Sequence, residues 1–105
     1  MSMQKIETFG GMLRRLREKK EMPIRKLASL LDLDQSTLSK IERDERRANS
    51  EMIDKIAEIF EIDRKELMIN FLSDKIYYTL AEEQDSQEVL KVAEMKILYL
   101  KKSQI

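Results

Sequence analysis

The chain has 105 residues, of which 42% are apolar and 38% charged, with two Gly and one Pro; this composition indicates one small all-α domain, or such a domain with an appendage. Because Cys and His are absent, and no paired-carboxylate cleft or Gly-rich phosphate loop is visible, we expect no enzyme, no catalytic residue, no metal site and no cofactor. The formal charge is zero, but residues 1–50 carry twelve Lys and Arg against eight Asp and Glu, and residues 51–105 carry eight against twelve. This asymmetry favours a basic face for phosphates and a separate acidic module, although exposed Arg can also serve solubility alone.

The first predicted helix begins after Thr8 and ends near Lys20. Gly10 and Gly11 oppose this assignment, because each costs about 1 kcal/mol relative to Ala in a helix. Such a pair could let another backbone pack closely. The inward positions are Phe9, Met12, Leu13 and Leu16.

The second and third predicted helices are short and are joined by a tight turn. Pro23 suits the first turn of helix two, where its missing N–H is no loss, and Asp34 suits the N-cap of helix three, which runs to about Arg43. The apolar positions of the two helices are Ile24, Leu27, Ala28, Leu31, Leu38 and Ile41. The outward positions of helix three are Gln35, Ser36, Thr37, Ser39 and Lys40. An exposed helix face of amides, hydroxyls and one cation suits a DNA major groove, where base edges offer mixed donors and acceptors, so we predict a sequence-specific DNA binder.

The remaining chain contains two or three further helices. After a charged loop at 44–48, Asn49 or Ser50 is expected to cap helix four. Its mostly inward residues are Met52, Ile53, Ile56, Ala57, Ile59 and Phe60. The capping-box spacing of Asp63 and Glu66 predicts a fifth helix opening at Leu67, and its pattern continues towards Leu80 unless Ser73 and Asp74 cap a new helix. The same spacing at residues 85–88 predicts a last helix near 86–102.

The last helix carries more apolar surface than one domain face normally covers. Leu90, Ala93, Ile97 and Leu100 follow a 3-4-3 spacing, and Tyr77 and Leu80 precede them in helix five. The stripe either folds back as extra core or forms a symmetric interface, and both uses can coexist. We predict a homodimer interface made by Leu90, Ala93, Ile97, Leu100, Tyr77 and Leu80.

Residues 9–72 resemble the phage-repressor/Cro-like helix-turn-helix domain of the XRE family. The resemblance rests on Leu-Arg-Arg-Leu-Arg at 13–17, Leu-Ala at 27–28, Ser-Thr-Leu-Ser-Lys-Ile-Glu-Arg at 36–43 and Ile-Ala-Glu-Ile-Phe at 56–60. It implies an all-α fold: a five-helix lambda-repressor-like DNA-binding domain over residues 8–72, followed by a C-terminal helical extension for dimerisation over residues 73–105.

The resemblance also implies roles for individual side chains. Helix three becomes the recognition helix, with base contacts expected from Gln35, Ser36, Thr37, Ser39 and Lys40. Small polar residues are also common at any helix N-terminus, and a solvent-facing Lys needs no special explanation. Phosphate contacts are expected from Arg43, Arg46 and Arg47, although Asp44 and Glu45 among them also fit a solvated charge run. Arg14, Arg15 and Arg25 are candidate additions to this basic face, although ion pairing with Glu18 or Glu21 is the simpler interpretation. Arg17 and Glu42 match a structural ion pair of the family.

Two positions depart from the family pattern. Ile24 stands where many members have Gln, which removes one phosphate contact. The turn before helix three has Asp32-Leu33 where Gly is frequent, and Asp tolerates left-handed backbone geometry better than most residues.

The sequence therefore predicts a homodimeric transcriptional regulator that binds a palindromic operator in double-stranded DNA. An autoregulating repressor or a controller of restriction–modification genes fits a chain of this size. No apolar run reaches the roughly 18 residues of a membrane span and no signal-peptide pattern is visible, so we expect a cytoplasmic bacterial or phage protein without membrane association or a small-molecule effector.

Two alternatives remain open from the sequence. The first is an antitoxin-like module whose C-terminal helices bind another protein, and the second is an enzyme accessory subunit without DNA affinity. The size of the isolated chain in solution separates the first from a homodimer, and Gln35→Ala separates the second from a DNA binder.

Overall fold

A computed structural model describes residues 6–103, and within them the chain is helical without strands. The six helices are α1 (Phe9–Lys19), α2 (Ile24–Leu30), α3 (Gln35–Glu42), α4 (Met52–Phe60), α5 (Arg64–Leu80) and α6 (Ser86–Ser103). The chain divides into two compact units between Asp74 and Lys75, inside α5. No helix of this described part has both the length and the apolarity that crossing a membrane requires.

Side chains cap two of the first three helices. The Thr8 hydroxyl accepts from the backbone N–H of Gly11 at 3.0 Å, and the Asp34 carboxylate accepts from that of Thr37 at 2.7 Å. These bonds satisfy N–H groups that have no partner within their helix. Pro23 was predicted to lie in the first turn of helix two. It is instead the N-cap of α2, one residue before that turn begins at Ile24.

The starts of α4 and α5 differ from the sequence prediction. Glu51 is the N-cap of α4 and makes no side-chain cap bond, whereas Asn49 and Ser50 contribute only their carbonyls, each 3.2 Å from an N–H of the first turn. Helix α5 begins at Arg64, three residues before the predicted start at Leu67. Asp63 accepts from the Lys65 N–H at 3.0 Å, and this bond favours the earlier start.

Helix α5 continues through Ser73 and Asp74, because neither side chain caps a new helix. The Ser73 hydroxyl donates to the Asn70 carbonyl at 2.9 Å, one turn back. The Asp74 carboxylate accepts instead from the backbone N–H of Phe9, also at 2.9 Å, at the start of α1. Asp74 thereby joins the end of the first unit to the beginning of its first helix.

The first unit is built around one hydrophobic core to which α1 to α5 all contribute. The rings of Phe9 and Phe71 meet edge to face, with centroids 5.6 Å apart, an arrangement that aromatic pairs prefer. The fully buried side chains are Leu13, Leu27, Leu38, Ile53, Ile56 and Leu67. The predicted inward faces of α1 to α4 contribute to this core as expected, with Leu16, Ile24, Ala57 and Ile59 at its edge.

Acidic residues occupy the left-handed conformation after each of the first four helices. They are Glu21, Asp32, Asp44 and Glu61, with φ between 51° and 62°. Glycine adopts this conformation at the least cost, but neither glycine of the chain is used for it. Asp32 confirms the expected left-handed turn between α2 and α3.

The second unit has a different character, since none of its residues between 75 and 102 is buried. The rings of Tyr77 and Tyr78 meet edge to face at 5.3 Å. A shallow groove between α6 and the end of α5 is lined by Lys75, Ile76, Thr79, Leu80, Val89, Leu90 and Ala93. Most of the apolar surface of α6 remains accessible to solvent.

Candidate nucleic-acid interface

Helix α3 separates an apolar mounting face from a polar outer face. Leu38 and Ile41 are buried and hold the helix in the core. On the outside, Gln35, Ser36 and Lys40 are exposed, while Thr37 and Ser39 are half-buried. The helix therefore offers amide, hydroxyl and ammonium groups to a ligand without using the residues that fix its position.

The first turn of α3 is ordered by Asp34. Hydrogen bonds from the backbone N–H and the side chain of Thr37 hold the pKa of the Asp34 carboxyl below its usual range. The positive charges of Arg46 and Lys40 lower this pKa further. Thr37 is thus engaged with its cap in the free protein, and Lys40 and Arg46 lie close enough to the start of α3 to contribute positive potential there.

The end of α3 carries Arg43, the C-cap residue, whose guanidinium is already engaged. Its Nε donates to Glu45 and its Nη1 donates to the Ser39 hydroxyl. Two of the predicted DNA contacts are therefore bonded to each other in the free protein. The side chains of Arg43 and Glu45 are both more than half exposed, and an ion pair between exposed groups is worth only about 0–1 kcal/mol. A phosphate could displace Glu45 from Arg43 at small cost.

A buried ion pair anchors α3 to α1. Arg17 donates to Glu42 through Nε at 2.8 Å and through Nη2 at 3.0 Å, and its Nη1 donates to the Met22 carbonyl at 2.8 Å. The side chains of Arg17 and Glu42 are 14% and 4% exposed. The hydrogen bond to Glu42 raises the pKa of Arg17 above its ordinary value. This two-pronged geometry fixes the roll of α3 about its own axis, and hence the direction of its outer face.

The other predicted phosphate ligands are dispersed. Arg14 forms an ion pair with Glu18 at 2.6 Å, the simpler of the alternatives considered from the sequence. Arg25 is exposed in the first turn of α2, and Arg46 and Arg47 are exposed in the loop after α3. Ile24 is half-buried against the core, so its side chain holds α2 in place and offers no phosphate contact.

Asp44 and Asp74 have structural roles that sequence reasoning missed. Asp44 accepts from the Thr8 hydroxyl at 2.8 Å, so the loop after α3 is tied to the N-cap of α1.

A Cβ atom on Gly10 would lie 2.1 Å from the Ile41 carbonyl oxygen, because α1 and α3 approach very closely there. The Gly10-Gly11 pair was the only local signal of this approach.

The predicted interface residues of the second unit are distributed between its groove and its surface. Leu80 and Ala93 are half-buried in the groove, and Leu90 also lines it while remaining half exposed. Tyr77, Ile97 and Leu100 are each more than half exposed. The predicted stripe is therefore partly covered by α5 of the same chain.

A family model described as helix-turn-helix matches residues 13–67. The match covers just over half of the 105-residue chain and includes α2, α3 and α4 entirely. No curated protein and no solved structure matches the chain.

Proposed function

We propose that this chain, which belongs to the XRE-type helix-turn-helix family of DNA-binding transcriptional regulators, acts as a homodimer on a palindromic operator. The observation that carries the proposal is the polar outer face of α3, held rigidly by Leu38, Ile41 and the Arg17–Glu42 ion pair. A reading surface must be fixed to within a fraction of an ångström to discriminate bases, and this mounting supplies such support.

Helix α3 enters the major groove with its first turn foremost. The Gln35 amide can make a bidentate pair with adenine, and Ser36 can donate to or accept from a neighbouring base edge. Lys40, one turn further on, can reach guanine or a phosphate. Thr37 and Ser39 join as base contacts once they exchange their internal bonds to Asp34 and Arg43 for bonds to DNA.

Positive side chains around α3 hold the duplex backbone. Arg25, Arg46 and Arg47 lie in exposed segments on either side of α3 in the sequence, and Arg43 becomes available when a phosphate replaces Glu45. Arg14 contributes least, since it is paired with Glu18. These contacts provide affinity and salt dependence, and the base contacts provide sequence preference.

Dimerisation supplies the specificity that one recognition helix lacks. A single α3 reads too few base pairs, whereas two related by a two-fold axis read inverted half-sites about 34 Å apart. Exposed apolar side chains on the second unit, including Tyr77, Ile97 and Leu100, favour a self-associated state over a monomer. Control by protein concentration and dimerisation suits an autoregulating repressor or a restriction–modification controller.

Selection of bound sequences from a random duplex library at physiological salt tests the proposal. We expect enrichment of two inverted half-sites about one helical turn apart. Gln35→Ala should weaken binding to the selected site by about 1–3 kcal/mol with little effect on random DNA. Gln84→Ala, the same change at an exposed position between α5 and α6, is the matched control and should leave both affinities unchanged.

Three results would contradict the proposal. Absence of enrichment, with weak binding that disappears as salt rises, would mean that the protein binds DNA by charge alone and without sequence preference. A monomer that binds single half-sites would remove the homodimer. A monomeric chain that forms a stable complex with another protein would favour the antitoxin-like alternative, for which the exposed apolar surface of α6 is the supporting observation.

A further inference from the structure

Helix α6 has a second apolar stripe that is distinct from the one lining the groove. Val92, Met95 and Tyr99 are separated by three and four residues, so at 100° per residue they lie within roughly 60° of arc on one side of the helix. They are 45%, 63% and 80% exposed, respectively. Ala93, which lines the groove with α5, points about 130° away from the centre of this stripe.

The second stripe ends in a charged residue on each side. Glu88 precedes Val92 by four residues and Lys102 follows Tyr99 by three, which continues the same spacing in both directions. Neither side chain forms an ion pair with any residue in the described range 6–103. The stripe is therefore an apolar centre with a negative end and a positive end.

The charge of the surrounding segment follows the same direction. Residues 82–94 contain five Asp and Glu and one Lys, whereas residues 95–103 contain three Lys and no acid. If two copies of α6 lay parallel along this stripe, Glu88 would face Glu88 and Lys102 would face Lys102. If they lay antiparallel, each acidic end would face a basic end, which is the arrangement that Coulomb attraction favours.

We propose that the second stripe is the dimer contact of the protein, and that the occupant is a second copy of α6 running antiparallel. The two-fold axis passes close to Met95, with Glu88 near Lys102 of the partner subunit and the reverse pair on the other side. This inference rests on the homodimer of the proposed function and adds its contact face and direction. It assigns the groove-lining residues Leu90 and Ala93 to packing within one chain, and it moves the dimer contact away from Ile97 and Leu100, which lie more than 100° round α6 from this stripe.

A charge-reversal cycle at the ends of the stripe tests this arrangement. Glu88→Lys and Lys102→Glu each turn two attractive pairs of the dimer into repulsive ones, and each should raise the dimer dissociation constant roughly 3- to 30-fold at low salt. The double variant restores both pairs and should return the constant to within a few-fold of the original. Glu94→Lys, the same change about 120° round the helix from Glu88, is the matched control and should have a much smaller effect.

Cysteine pairs give an independent result, because the chain has no natural Cys. A tagged Glu88→Cys protein mixed with an untagged Lys102→Cys protein should form a heterodimeric cross-link with a short bismaleimide. Glu88→Cys alone should not cross-link to itself.

The outcomes separate this inference from the proposed function. A dimer in which the double variant is not rescued, or in which Glu88→Cys cross-links to itself, would overturn the antiparallel contact and leave the homodimeric regulator standing. A chain that sediments as a monomer at all concentrations would overturn both the contact and the homodimer. Operator selection measures DNA binding separately in either case.

Discussion

Replacement of Gly10 by Ala should damage the fold, although Ala is the better helix former. The added Cβ would lie 2.1 Å from the Ile41 carbonyl oxygen and 2.6 Å from Asp44 Oδ1. Carbon–oxygen contacts of this kind normally exceed 3 Å, and the nearer atom is a backbone oxygen that cannot rotate away. The start of α1 and the end of α3 would therefore have to move apart by about 1 Å.

The expected loss follows from two opposing terms. Ala gains about 1 kcal/mol over Gly in a helix interior, while overpacking of a rigid contact costs about 1–3 kcal/mol and sometimes more. The close approach of Gly10 to a backbone oxygen puts this site at the upper end of that cost, so we expect a net destabilisation of about 2 kcal/mol. For a domain of this size that corresponds to a fall in Tm of roughly 8–16 °C.

Gly11→Ala is the matched control. Its Cβ would lie 3.2 Å from Thr8 Oγ1 and 4.0 Å from Glu7 Cβ, both side-chain atoms, so a small adjustment suffices. We expect this variant to be as stable as the original protein or up to about 1 kcal/mol more stable. Urea unfolding followed by circular dichroism measures both free energies of unfolding. Equal effects of the two substitutions, or a stabilising Gly10→Ala, would refute the close approach of α1 to α3.

Three further predictions concern single side chains. Burial raises the pKa of Asp74 above its ordinary value, the Phe9 N–H opposes this rise and nearby Asp44 adds to it. Stability from this group is therefore present below the unfolded pKa and lost as pH rises through the folded pKa, so Asp74→Asn should flatten the urea-derived stability profile from about pH 4 upward. No flattening would argue against the burial of this carboxyl. Glu61→Gly should stabilise the protein by about 1 kcal/mol, because Glu61 has a left-handed φ of 52°, whereas Glu58→Gly, inside α4, should destabilise it by a similar amount. Thermal melts of the two variants measure both changes, and changes of the same sign would contradict the left-handed turn. Glu42→Ala should lower the free energy of unfolding by about 3–5 kcal/mol by leaving Arg17 without its partner, and adding Arg17→Met should recover most of that loss in chemical denaturation. A small loss for Glu42→Ala alone would contradict the burial of this ion pair.

Local signals in the sequence explain most of the first unit. Thr8 and Asp34 cap α1 and α3 because short oxygen-bearing side chains satisfy N–H groups within their own turn. The 3.6-residue periodicity placed Leu38 and Ile41 inside and left Gln35 on the outer face.

Contacts between distant residues account for what the sequence did not reveal. The Thr8–Asp44 and Phe9–Asp74 hydrogen bonds join residues 36 and 65 positions apart, and no local pattern encodes such pairs. The cap of α4 was mispredicted because Asn49 and Ser50 are good cap residues by type, yet their carbonyls serve the first turn. The Arg43–Glu45 pair lies within one short loop, but a mixed charge run is compatible with several pairings.

The division of labour on α3 has a consequence for how the protein can change over generations. Gln35, Ser36 and Lys40 are exposed, and substitutions at surface positions of this kind usually alter folding stability by less than about 0.5 kcal/mol. The buried residues Leu38, Ile41 and Glu42 hold α3 in the core independently of the exposed side chains next to them. With the base contacts proposed for α3, a lineage carrying this fold can therefore acquire a new DNA preference by exchanging a few outward side chains, and duplicated copies can diverge in target while their architecture stays the same.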